Sequence, residues 1–100
     1  VQELLFGPVV TVQRFGTADA AVALANGTPY GLAASLFTRD LARAHRVADR
    51  IDSGIVWINC WMVRDLRTPF GGVKSSGVGR EGGEEALRFF TEPKNVCVRV

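Results

Sequence analysis

The sequence predicts an α/β fold with a mostly parallel sheet, flanking helices and a C-terminal edge strand. Three observations carry that expectation. Apolar, β-branched runs alternate with segments of helical spacing. A capping residue precedes the first two helical segments, and glycine or proline follows all three. The chain then closes on an alternating apolar stretch.

Val9-Val10-Thr11-Val12-Gln13-Arg14-Phe15 is nearly continuous in apolar character, as a strand covered on both faces is. Thr17 caps a helix over about Ala18–Ala25, with Val22 and Ala25 on its inner face and Asn26-Gly27 as its stop. Ala33–Thr38 is a second strand. Asp40 caps a second helix in which Leu41, Ala44, Val47, Ala48 and Ile51 share a face, while Arg43, Arg46, Asp49 and Arg50 meet water. Gly54 ends it, and Ile55–Asn59 is a third strand. The β-α-β-α-β order predicts parallel pairing. A stretch of about twenty residues without periodicity follows Asn59, a length typical of functional loops. Helical spacing resumes over Glu84–Phe90, Pro93 stops it, and Val96–Val100 alternates as an edge strand that seeks a partner.

One hundred residues suffice for one small domain and not for a two-domain enzyme. Twelve basic against ten acidic residues give a net charge of +2, without a basic run, which argues against nucleic acid or membrane as the main partner. No apolar run reaches the roughly 18–20 residues of a membrane span, and the first residues lack the order of a signal peptide. Cys60 and Cys97 lie far apart without metal-type spacing, so a reducing, cytoplasmic setting is expected. His45 is the single histidine, on the polar side of the second helix, and no metal site is expected.

The loop Pro69-Phe70-Gly71-Gly72-Val73-Lys74-Ser75-Ser76-Gly77-Val78-Gly79-Arg80-Glu81 leaves the carboxyl end of the third strand, where open α/β sheets bind ligands. Its glycines allow close backbone approach, and Phe70 offers either a ligand-facing wall or plain packing. Gly77-Val78-Gly79-Arg80-Glu81-Gly82 matches G-x-G-x-x-G, but no strand immediately precedes it and no βαβ unit follows, so a dinucleotide loop is rejected. Arg64, Asp65 and Arg67 form either a solvated charge cluster or a guanidinium fork for a carboxylate. Cys60 has no neighbouring base and reads as small packing at a strand end.

The Pro69–Glu81 run, together with Leu5-Phe6-Gly7-Pro8-Val9 and Phe90-Thr91-Glu92, resembles the C-terminal signature of the aldehyde dehydrogenase superfamily over almost the whole chain. Trp57-Ile58-Asn59-Cys60-Trp61, followed by Arg64-Asp65-Leu66-Arg67-Thr68-Pro69-Phe70-Gly71-Gly72, is similar to the branch acting on 2-hydroxymuconic and 2-aminomuconic semialdehydes. The resemblance implies that residues 1–95 are the C-terminal part of the catalytic domain and residues 96–100 an oligomerisation strand. It implies oxidation of a carboxylated, muconic-type aldehyde with NAD, NADP remaining open, in a homo-oligomer. It places Phe70 on the substrate tunnel and Phe6 near the nicotinamide, and makes Arg64, ahead of Arg67, the holder of the substrate carboxylate. Leu4 stands where the family usually has the glutamate that bonds the nicotinamide ribose. Glu3 is the neighbouring carboxylate, and alternation points it the other way unless the backbone changes locally. The family's catalytic cysteine has a Gly-Gln-x-Cys-like context that these residues lack, so no catalytic residue is assigned and the chain alone is expected to be inactive. The alternative is a non-catalytic structural or oligomerisation module.

Overall fold

Thr17 and Asp40 open the two helices that the capping pattern predicts. A computed structural model describes residues 3–100. The element order is α1 (Ala18–Asn26), β1 (Tyr30–Gly31), β2 (Ala33–Leu36), α2 (Leu41–Ala48), β3 (Ile55–Ile58), β4 (Val73–Lys74) and α3 (Gly83–Phe90). The Thr17 hydroxyl accepts from the Ala20 N–H at 3.2 Å, and an Asp40 carboxylate oxygen accepts from the Arg43 N–H at 2.9 Å. The Arg43 amide is also the first reason that the Asp40 carboxyl is held below its ordinary range.

β2 and β3 pair in parallel, with Ala33 opposite Ile55 and Leu36 opposite Ile58, and α2 makes the crossover. This is the β-α-β unit read from the sequence. Its core is small: Val22, Ala44, Val47 and Trp57 are the buried apolar residues among those described. The Asn59 side chain extends the pairing, accepting from the Thr38 N–H and donating to the Thr38 carbonyl, both at 2.8 Å. A second ribbon pairs β1 with β4 antiparallel, Tyr30 opposite Lys74. Lys74 fastens it to α1. Its ammonium lies 3.0 Å from the Asn26 carbonyl and 3.3 Å from Asp52, at a helix end that favours a cation.

Two expected strands do not form. Val9–Phe15 finds no ladder partner, and Val9, Val10 and Val12 are 61%, 85% and 88% exposed, not covered on both faces. Val96–Val100 is likewise unpaired and exposed. An apolar extended run becomes a strand only where a neighbouring edge supplies its hydrogen bonds, and the described residues supply none here. The sheet is accordingly one parallel pair beside one antiparallel ribbon, and not the mostly parallel sheet expected. The radius of gyration is 17.9 Å, against about 13 Å for a self-contained domain of this length. The chain therefore carries more apolar surface than it covers, Leu87 and Phe90 on α3 included.

Candidate functional site

The site grows from the end of β3. Trp57 is buried there, and its indole N–H donates to the Val63 carbonyl at 2.7 Å, which anchors the segment ahead of Arg64. Asn59 and Met62 take left-handed backbone, φ 56° and 58°, and turn the chain out of the strand direction. A second turn follows, in which the Thr68 N–H and hydroxyl both donate to the Asp65 carbonyl, at 3.0 and 2.7 Å. Gly82 and Gly83 close against it. Both take left-handed backbone, φ 91° and 53°, and a Cβ would stand 2.3 Å from the Thr68 carbonyl oxygen at Gly82 and 2.2 Å from the Arg67 carbonyl oxygen at Gly83.

These turns separate the two arginines. Arg67 spends its fork on Asp65: Nε donates to Oδ1 at 2.9 Å and Nη2 to Oδ2 at 2.5 Å. That side-chain pairing, with the Arg67 N–H second, holds the Asp65 carboxyl below its ordinary range and raises the Arg67 guanidinium. The Arg67 side chain is 87% exposed. Arg64 is 35% exposed and stacks its guanidinium carbon 4.3 Å from the Phe70 ring centroid. Its Nη2 donates to Glu81 Oε1 at 2.7 Å, and among the described residues Nη1 and Nε make no hydrogen bond. Phe70 and Glu81 are themselves joined by an antiparallel bridge, each N–H donating to the other's carbonyl at 2.7 Å. Phe70, Arg64 and Glu81 thus form one unit.

Phe70 and Glu81 line a groove of about 330 Å³ with Leu32, Gly79, Arg80 and Phe89. An adjoining groove of about 480 Å³ shares Leu32 and Ser76 and is lined by Leu4, Phe6 and Tyr30. Phe6 is 98% exposed, a flat apolar face free to take another ring. Leu4, not Glu3, shares the Phe6 groove, and Glu3 is exposed outside its lining. These residues fit the ring of a nicotinamide, and Asp52 is the carboxylate in the lining of that groove. The Gly77–Gly82 loop is no dinucleotide cradle. The strand before it, β4, is antiparallel, and a Cβ on Gly79 would meet the Phe89 ring at 2.2 Å.

The remaining candidates lie elsewhere. Cys60 is half-buried and Cys97 exposed, both as free thiols, and His45 is exposed. Among the described residues no three His, Cys, Asp or Glu side chains gather as a metal would need. Among the described residues no helix is long and apolar enough to cross a membrane. Sequence reasoning missed Glu81 as a partner of Arg64. The two stand seventeen positions apart, and only the Phe70 bridge brings them together.

Residues 1–96 match the model of the aldehyde dehydrogenase family. The chain is 54% identical over 100 residues to a 2-hydroxymuconic semialdehyde dehydrogenase of Pseudomonas sp. strain CF600, covering 100% of this chain and 21% of that protein. It is 50% identical over 99 residues to a 2-aminomuconic semialdehyde dehydrogenase of Danio rerio, covering 99% of this chain and 20% of that one. Among solved structures it is similar to PnpE of Pseudomonas sp. WBC-3, at TM-score 0.87 and 52% identity over 91% of this chain and 19% of that one. PnpE has also been solved with nicotinamide adenine dinucleotide. The chain spans about a fifth of the length of these curated relatives. With the match running through the Arg64, Phe70 and Glu81 unit, the chain belongs to the aldehyde dehydrogenase family.

Proposed function

We propose that this chain supplies the carboxylate-binding wall of an aldehyde dehydrogenase that oxidises a carboxylated, muconic-type semialdehyde to the acid. The observation that carries the reading is Arg64, its Nη1 and Nε unbonded among the described residues, stacked on Phe70, which lines a groove with Glu81. A guanidinium placed so can donate to a carboxylate through Nη1 or Nε and aim the far end of the molecule. Arg67 already holds Asp65 and is the secondary contact. The names of the relatives in both muconic groups support the substrate class.

NAD, with NADP open, accepts the hydride in this reading. Phe6 would lie against the nicotinamide, and Glu3 reaches the ribose only if the backbone turns between Glu3 and Phe6. Residues 1–95 act as part of the catalytic domain, and the chain alone turns nothing over, because it contributes binding groups and no nucleophile. The two free thiols suit a cytoplasmic setting.

The test compares 6-oxohexanoate with hexanal on the complete polypeptide that bears this chain. Arg64→Ala is expected to lower the ratio of their kcat/KM values by roughly 10–100-fold, the value of a lost charge-assisted contact. An unchanged ratio would remove Arg64 from substrate recognition. A second reading makes residues 96–100 an oligomerisation strand, on the observation that Val96 and Val98 are exposed and their backbone unpaired. Val98→Pro would then reduce the assembly size in sedimentation, and an unaltered size would refute it.

A further inference from the structure

We propose that Glu81 is the positioning residue that sets the selectivity of Arg64 for carboxylated aldehydes. The inference rests on the function proposed above and assigns a role to a residue for which sequence spacing offers no signal. A free arginine side chain samples many rotamers, and a carboxylate that binds it must first fix one. Here two contacts do so in advance. The Phe70 ring covers one face of the guanidinium, and Glu81 Oε1 takes Nη2 at 2.7 Å. The plane and its rotation are then both set, and Nη1 and Nε remain as the presented donors.

The contrast with Arg67 sharpens the point. Asp65 grips Arg67 by both oxygens and occupies the fork, whereas Glu81 binds Arg64 through one oxygen and leaves donors open. Glu81 also places a negative charge beside the guanidinium. A small bare anion therefore gains little at Arg64, while a ligand with a carboxylate and an apolar body gains from Phe70 as well. The backbone bridge between Phe70 and Glu81 uses only main-chain groups, so changing the Glu81 side chain leaves that frame in place.

The experiment uses the complete polypeptide, the 6-oxohexanoate to hexanal ratio of kcat/KM, and Arg64→Ala alongside. Glu81→Ala is expected to lower the ratio about tenfold through KM for 6-oxohexanoate, the equivalent of ~1.4 kcal/mol. Glu81→Gln keeps an acceptor at the same reach and is expected to restore the ratio to the parent value or above, because it frees positive charge. Should Glu81→Ala fail to fold, Glu81→Asp, which keeps the charge and loses the reach, is expected to lower the ratio instead. A ratio unmoved in Glu81→Ala but lowered in Arg64→Ala overturns the role of Glu81 and leaves the proposed function standing. A Gln variant as impaired as the Ala variant also overturns it. A ratio unmoved in Arg64→Ala overturns both.

Discussion

Gly54→Ala is the perturbation that most directly couples the fold to the site. Gly54 sits at the start of β3, where its N–H donates to the Gly31 carbonyl at 3.1 Å. A Cβ there would stand 1.5 Å from the Gly71 carbonyl oxygen and 2.6 Å from its carbon. Restoring an ordinary contact of ~3.5 Å requires the Gly71 backbone to retreat by about 2 Å. Gly71 cannot do this alone, because Phe70 before it is bridged to Glu81. The retreat therefore draws the Phe70 ring from under Arg64. Overpacking of this kind costs ~1–3 kcal/mol of stability. A displacement above 1 Å at a binding group costs on the order of 100-fold in turnover. The assay is thermal melting of the complete polypeptide with kcat/KM for 6-oxohexanoate. A variant that melts with the parent and keeps its kcat/KM would refute the claim that this glycine contact fixes the loop.

Two further outcomes follow from the contacts. The folded pKa of Asp40 is depressed, so its contribution is complete above about pH 4 and is lost as pH falls further. Asp40→Asn keeps an N-cap acceptor without the charge, so it should melt like the parent near neutrality and lose less stability in acid; equal acid sensitivity would contradict the cap's role. Trp57→Phe removes the 2.7 Å bond to Val63 and should cost ~0.5–1.5 kcal/mol in chemical denaturation, with a fall in the carboxylate preference as the Arg64 segment loosens. No change in either would show that the indole does not anchor that segment.

The helices and the β2–β3 pair were legible because their signals are local. Thr17 and Asp40 cap their helices, Ala44 and Val47 repeat at helical spacing, and the order of elements implies the crossover. Val9–Phe15 misled for the opposite reason: strand formation is decided by a partner edge, which no property of the segment itself reveals. The β1–β4 ribbon is two residues long on each side and joins positions more than forty apart, so no periodicity announced it. Within the site, the residue types of Arg64 and Phe70 and the glycines beside them were readable. The pairing of Arg64 with Glu81 was not. It depends on the backbone bridge between Phe70 and Glu81, which no local pattern announces.

The most direct measurement is a crystal structure of the complete polypeptide with NAD and a carboxylated aldehyde or its acid product. The ligand carboxylate should lie about 2.7–2.9 Å from Nη1 or Nε of Arg64, with Phe70 still beneath the guanidinium and Glu81 still on Nη2. A ligand whose carboxylate binds elsewhere, with Arg64 turned to solvent, would contradict the account.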